Sequence, residues 1–365
     1  MRFWVNYRLP GGKQRREYVG NDPNGRPAGI EEARAAEGKR RAQKKEKPGI
    51  LERAIAEKMT FSELAEWYLD LTAVKKLASY SRVRQGLANF NRQFGEVLVG
   101  DLKPLDLEEY QNKRESEGMA PATIDMELCL AKTMITKAFD NDMVEGKTVK
   151  AFRLVKRRLK KAANARKQII GIKEYLLLME AAAPHLRDIL TVAYHTGMRT
   201  GELRTLQWSH IDREKGVIRL PADLTKESRA KVIPLNHHVK KLLEENRRNT
   251  PHFKFVLTYR GKPITSEGGL NKSFHAACKR AGLTCGRDIP GGIIFHDIRR
   301  TVKTHMLAAG VDKIYRDLIL GHSLQGMDAH YLSPSEKDLH QAMSLYTAWL
   351  DGQLKNVDHI VDQKS

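Results

Sequence analysis

The residues with the most chemical potential lie in four separated clusters of this 365-residue chain: Thr196-Gly197-Met198-Arg199-Thr200-Gly201-Glu202-Leu203, Lys226, His296-Asp297-Ile298-Arg299-Arg300, and Leu320-Gly321-His322-Ser323 followed by Tyr331. An RxxE or HxxR pair on one helical turn is by itself an ordinary surface pair. Together, two arginines, two histidines, a lysine and a tyrosine supply what chemistry at a phosphoryl group requires. Arginine offers a planar fork of N–H donors that fits non-bridging oxygens bidentately, which the point charge of lysine does not reproduce. Histidine exchanges protons near neutral pH. A tyrosine hydroxyl can attack, but with an ordinary pKa of about 10 only about one phenol in a thousand is ionised at pH 7, so cations or a base must activate it.

The elements that must position these residues read as mainly helical. Periodic apolar residues predict helices at about 173–183, 185–196 and from Thr200, then a hairpin of Gly216–Pro221 and Ala230–Leu235 that carries Lys226 on its turn. Helices at 236–247, 267–281, 297–309 and 312–320 follow, with a third strand at Phe255–Tyr259. Upstream, Thr60 with Glu63 forms a capping-box signature ahead of Phe61, Leu64, Ala65, Tyr68 and Leu69 on one face. Further helices at about 79–94, 104–117 and 121–141 make this a four-helix domain, two of them opening at Pro104 and Pro121. Phe3, Val5 and Tyr7 alternate before the Pro10-Gly11-Gly12 turn, so residues 1–20 read as a cationic hairpin, followed by a short helix from Ile30 to Arg41 and a linker at Lys44–Gly49.

Charge defines the partner class. Lys plus Arg number 64 against 44 Asp plus Glu, a formal net charge of +20, which points to a polyanion. The stretch 151–167 has eight Lys/Arg and no acid and reads as a connection between domains, either a solvated basic helix face or, as the rest of the chain favours, a contact that offers Lys156, Arg157, Arg158, Lys160 and Lys161 to phosphates. No apolar run is long enough for a membrane span, and the start resembles no secretion signal. Three scattered cysteines form no CxxC pair, so neither a disulfide framework nor a zinc site is expected and a reducing cytoplasm fits best.

Over residues 60–350 the four clusters, in this order and spacing, resemble the tyrosine recombinases, the integrase family of the phage lambda type. The resemblance implies that Arg199 and Arg299 bind the scissile phosphate, that His296 acts as general base, that His322 donates a hydrogen bond to the phosphate, and that Glu202 orients the site. It assigns Lys226, eight residues before Pro234, to protonation of the leaving 5′-oxygen, with Lys231 as the alternative lysine, and makes Tyr331, nine residues beyond His322, the nucleophile that forms a 3′-phosphotyrosyl link. Neither metal nor other cofactor is implied.

The fold class that follows is mainly α with small β-sheets in several domains. A hairpin-and-helix module at 1–48 resembles arm-type DNA-binding domains and places Arg15 and Arg16 on DNA; a helical core-binding domain spans 58–150; a basic linker spans 151–165; a mixed α+β catalytic domain spans 166–350; and a polar tail spans 351–365. The partners implied are double-stranded DNA at core and arm sites, further copies of the chain up to a tetramer on DNA, and DNA-bending accessory proteins, in a bacterial cytoplasm at the nucleoid. Leu339, Met343, Leu345 and Trp349 form an apolar stripe that packs either in cis or on a neighbouring protomer. Two rival functions keep the same residues: a type IB topoisomerase-like enzyme, and a catalytically silent DNA-binding protein.

Overall fold

The computed structural model describes residues 4–8, 14–20, 29–46, 59–160, 163–249, 252–324 and 334–362. Among the described residues helices dominate, with three small antiparallel sheets, and the chain divides into two compact units, Met1–Ala165 and Arg166–Ser365.

The first unit opens with strands β1 (Trp4–Arg8) and β2 (Gln14–Tyr18), paired from Trp4↔Tyr18 to Arg8↔Gln14. Helix α1 runs Ile30–Glu46, so the segment from Lys44 to Glu46, expected as linker, is helical. Then come α2 (Phe61–Asp70), α3 (Thr72–Lys75), α4 (Tyr80–Phe94), α5 (Pro104–Ser116), α6 (Pro121–Phe139) and α7 (Gly146–Leu154). The capping box is formed in full: Glu63 N–H donates to Thr60 Oγ1 at 3.3 Å and Thr60 N–H to Glu63 Oε2 at 3.0 Å. It aims Phe61 and Leu64 inward, where Phe61 packs 4.8 Å from Phe90, itself 4.6 Å from Tyr110 between ring centroids.

Beneath this aromatic core Glu127 is fully buried and accepts hydrogen bonds from Tyr110 Oη (2.7 Å), Arg114 Nη2 (2.8 Å), Arg114 Nε (3.0 Å) and Asn89 Nδ2 (2.6 Å). A buried carboxylate is tolerated only when paired and fully bonded in this way. Helix α7 corrects the linker reading. Ala151, Phe152 and Val155 are buried, and Phe152 lies 6.2 Å from Phe90, so the connection loses its first residues to the core. Of the eight cations in 151–167 only Arg153 lies on this helix, so the count of charge across the stretch conceals its buried face.

In the second unit, α8 (Ile172–Ala181), α9 (Pro184–Thr196) and α10 (Thr200–Thr205) precede a sheet of β3 (Ile211–Asp212), β4 (Val217–Leu220) and β5 (Lys231–Pro234) in that spatial order. Helix α11 (His237–Asn249) follows, then β6 (Thr258–Tyr259) and β7 (Lys262–Pro263), α12 (Glu267–Arg280), α13 (Asp297–Ala308), α14 (Lys313–Leu320) and α15 (Glu336–Asp362). The third strand expected at Phe255–Tyr259 does not join the main sheet. Its last two residues pair instead with Lys262–Pro263, and the third place is taken by Ile211–Asp212, too short a strand to show alternation.

Helix α15 overturns the reading of 351–365 as a tail, since it continues to Asp362. Its Leu339, Met343, Tyr346 and Leu350 are buried in the core of this same unit, with Trp349 packed against it, while Leu345 stays exposed. The stripe therefore packs in cis. No helix among the described residues is long and apolar enough to cross a membrane.

Candidate active site

Four chain segments converge on the site. The first is the α9–α10 junction, where Gly197 ends α9 with φ 65° and a Cβ there would lie 2.3 Å from Leu320 Cδ2. Only glycine serves both the left-handed turn and that close approach. The sharp turn delivers Arg199 to the N-cap of α10, where its backbone N–H donates to Glu202 Oε2 (3.0 Å) and its Nη1 to Glu202 Oε1 (2.9 Å). Arg199 Nη2 donates to Glu227 Oε1 and, at 3.4 Å, to the carbonyl of Gly321.

The second segment is the hairpin. The period of two along β5 puts Lys231 on the same inward face as Ile233, and the residue is 4% exposed. It donates to Glu202 Oε2 at 2.9 Å, and burial pulls its pKa down to about 8 although the Glu202 carboxylate opposes the shift. Burial would raise the Glu202 pKa, but Lys231 and the bonds from Arg199 outweigh it and hold the group ionised. Lys226, by contrast, is exposed on the turn beside Glu227.

Helix α13 supplies Arg299, which is 6% exposed. Its Nη1 donates to Gly197 O (2.8 Å) and its Nη2 to Leu320 O, with His322 Nε2 3.1 Å away. Burial first, and the charge of Arg199 second, pull its pKa down to about 10. Arg199 and Arg299 thus meet at two consecutive carbonyls, Gly321 and Leu320. His296 caps the start of α13, one turn before Arg299; its edge is open to solvent, yet desolvation by its surroundings and then the charges of Arg299 and Arg300 lower its pKa.

The fourth segment is the α14 corner. Gly321 has φ 71°, and a Cβ there would meet Lys231 Cδ at 2.9 Å, so the glycine of LGH lets the buried lysine and Arg199 pass beneath it. His322 follows with Nδ1 3.2 Å from Asp317 Oδ1 and Nε2 facing Arg299. The Asp317 acceptor beside Nδ1 and the Arg299 donor beside Nε2 assign the neutral Nδ1–H tautomer. Burial lowers the His322 pKa, with Arg299 and Lys303 adding to this and Asp317 opposing it.

Three contributors were invisible in the sequence reading. Asp317, 5% exposed, takes bonds from Lys303 (2.9 Å), Lys313 (2.8 Å) and His322, and these hold its carboxyl well below the ordinary range. Arg166, from the basic stretch, is spent on structure: it donates to Asp297 Oδ2 (2.6 Å) and to the Arg287 (2.8 Å) and Gly292 (2.6 Å) carbonyls, fixing the start of α13. Glu227 is the third, seated on Arg199. A DxxxGH spacing points to Asp317; nothing local marks Arg166 or Glu227.

Of the residues expected in the site, Arg199, Glu202, Arg299 and His322 are joined directly, Lys231 joins them, and His296 shares the helix of Arg299. Tyr331 lies outside the described residues, as does Lys161. Lys156, Arg157, Arg158 and Lys160 are exposed, but the Arg158 side chain is engaged by Asn112 and lies 3.7 Å from Glu115. Arg15 and Arg16 fall on β2, with side chains outside the described set.

Among the described residues, the half-buried Arg199 and the buried Arg299 therefore lie beside His322, with Glu227 on the outer fork of Arg199. Residues 163–338 match the phage integrase family model. The tyrosine recombinase XerC of Pediococcus pentosaceus is 27% identical over 262 residues, 66% of this chain and 81% of that protein. The integrase of Salmonella phage P22 is 26% identical over 145 residues, 37% of this chain and only 35% of that protein's length. In fold, lambda integrase is similar, both as a dimer bound to a COC′ core site (TM-score 0.62, 20% identity, 91% of this chain and 94% of that one) and as a tetramer bound to a Holliday junction (TM-score 0.61, 20% identity, 90% and 92%). Residues 163–338 thus carry the phage integrase family domain, and the relatives matched are tyrosine recombinases and integrases.

Proposed function

We propose that the chain is a site-specific DNA recombinase that integrates or excises a mobile element. The observation that carries this is the convergence of Arg199 and Arg299 with His322 at the Leu320–Gly321 carbonyls. Attack on a phosphodiester adds negative charge to the non-bridging oxygens, and fixed guanidinium forks stabilise it more in the transition state than in the ground state. Tyr331 Oη attacks phosphorus, its proton passing to His296, whose lowered pKa leaves the ring free to accept it. The P–O5′ bond breaks as the P–O(Tyr) bond forms, and Lys226 protonates O5′ to leave a free 5′-hydroxyl. Reversal on another strand's 5′-hydroxyl rejoins the DNA with no net bond energy lost. For His322 to donate to the phosphate, Nε2 must carry a proton, and Asp317 at Nδ1 offsets the resulting charge.

The same reading assigns residues 1–48 to arm sites, the helical unit and the exposed Lys156, Arg157 and Lys160 to core-site phosphates, and a tetramer as the working assembly, with each protomer cutting one strand. DNA-bending proteins would assist at the nucleoid. If about eight phosphates are neutralised, the log–log salt slope of affinity is about −7. The recombinases and integrases among the relatives favour this reading over a topoisomerase or a silent binder. Nicked duplex carrying a candidate attachment site, incubated without magnesium, tests it: a covalent protein–DNA band from wild type and none from Tyr331→Phe supports the proposal, whereas DNA that is bound without any band counts against it.

A further inference from the structure

The carboxylate of Glu227 occupies the outer fork of Arg199. Its Oε1 takes the Nη2 donor of Arg199, the fork left over once Glu202 has engaged Nη1, and its Oε2 is buried with no hydrogen-bond partner. A buried carboxylate oxygen without a donor is held there by the charge of the guanidinium rather than by a complete set of bonds. Of the acidic residues that contact Arg199, Glu202 is locked by Lys231 and the Arg199 backbone, whereas Glu227 stands on a turn. Its side chain is 22% exposed, so it has a way out.

The turn is tied to itself at its base. Thr225 Oγ1 donates at its base, with Ala222 O at 3.0 Å and Arg229 O at 2.7 Å as acceptors, and receives the Arg229 N–H at 3.1 Å; Ser228 N–H closes onto Thr225 O at 3.2 Å. Ser228 itself has φ 51°, a left-handed conformation that a serine holds only when its neighbours fix it. Lys226 and Glu227 therefore share the short tip that Thr225 closes at its base.

We propose that Glu227 is a placeholder for the scissile phosphate. It neutralises Arg199 while no DNA is bound, and the incoming phosphodiester must expel it, which shifts the tip that carries Lys226. The proposal rests on the recombinase reading and adds to it a residue that sets the threshold for productive DNA engagement. Expulsion exchanges one anion on Arg199 for another, so the arginine is never left desolvated and unpaired. A weakly docked DNA does not displace the carboxylate; a DNA held by many phosphate contacts does.

The test is a binding cycle that needs no cleavage. Anisotropy with a short labelled duplex at fixed salt is measured for wild type, Glu227→Gln, Glu227→Ala, Arg199→Ala, and Arg199→Ala combined with each Glu227 change. Asp223→Asn, an exposed acid near the base of the same hairpin, reports the generic effect of removing one negative charge. The placeholder predicts affinity gains of roughly five- to tenfold for both Glu227 variants, less than about twofold for Asp223→Asn, and loss of the Glu227 gain when Arg199 is absent. A gain equal to that of Asp223→Asn, or one that survives Arg199→Ala, overturns it. The covalent band on nicked duplex, run on the same proteins, reports separately on the recombinase reading: its absence would sink that reading while the binding cycle still decides whether Glu227 occupies the anion seat of Arg199.

Discussion

Replacing Glu202 by Gln keeps the volume of a 2%-exposed side chain and removes only its charge, which makes it a clean probe of how the site is held. Two costs follow. The first is the weakening of two charge-assisted bonds from Arg199, together about 1.5–3 kcal/mol and independent of pH near neutrality. The second falls on Lys231. In the native protein its pKa is about 8, depressed from about 10.5, so the unfolded chain binds more protons between those values and stability rises with pH across that window. Glu202 is the principal group keeping that pKa from falling further. Without it Lys231 becomes a buried lysine with no ionised partner, a class that titrates at about 5–6. The native protein then retains a proton between pH 8 and 6 that the variant gives up, a difference of about 1.4 kcal/mol per pH unit below 8. The destabilisation by Glu202→Gln should therefore be about 2 kcal/mol larger at pH 6 than at pH 8.5. Urea unfolding of wild type and variant across pH 6–9 measures it, with Lys231→Met and the double variant as the control that removes the titrating group. A penalty flat with pH, or one whose pH dependence survives in the Lys231→Met background, would refute the assignment of Lys231 and Glu202 as a single buried pair.

Glu127→Gln in the helical unit breaks a fully buried carboxylate from Arg114 and should cost about 3–5 kcal/mol, read as a drop in the unfolding midpoint of the first unit with no change in the second. Lys226→Ala and Lys231→Met separate the two candidate lysines: the exposed Lys226 should leave stability within about 0.5 kcal/mol and slow cleavage of a nicked duplex about 100-fold or more. Substrates with a 5′-thio leaving group, which need no proton, should restore cleavage to Lys226→Ala; rescue of Lys231→Met alone would reverse the assignment.

The parts of the site legible in the sequence are those where one local rule dictates geometry. Gly197 and Gly321 end helices in left-handed turns, so the residues just beyond them, Arg199 and His322, are delivered to fixed places. The HxxR spacing puts His296 and Arg299 on one turn. The inward face of Lys231 was also available, because the strand from Ala230 to Leu235 alternates with Ile233, but proximity to the motif lysine hid its separate role. What failed were pairings set by packing alone. Arg166 and Asp297 are 131 residues apart, and no pattern near Arg166 distinguishes an anchor from a phosphate contact. Charge also misled at α7, where the count of cations across 151–167 masked Phe152, and at α15, where polar residues masked a helix running to Asp362.

The central claim is that Tyr331 becomes joined to DNA. Trypsin digestion of the covalent complex, after nuclease trimming, isolates the peptide Asp317–Lys337, in which Tyr331 is the single tyrosine. Mass spectrometry is expected to find the nucleotide adduct on that peptide, carried through a 3′-phosphate. An adduct on the peptide of Tyr315 or Tyr346, or a DNA–protein bond absent from every tyrosine, would contradict the account.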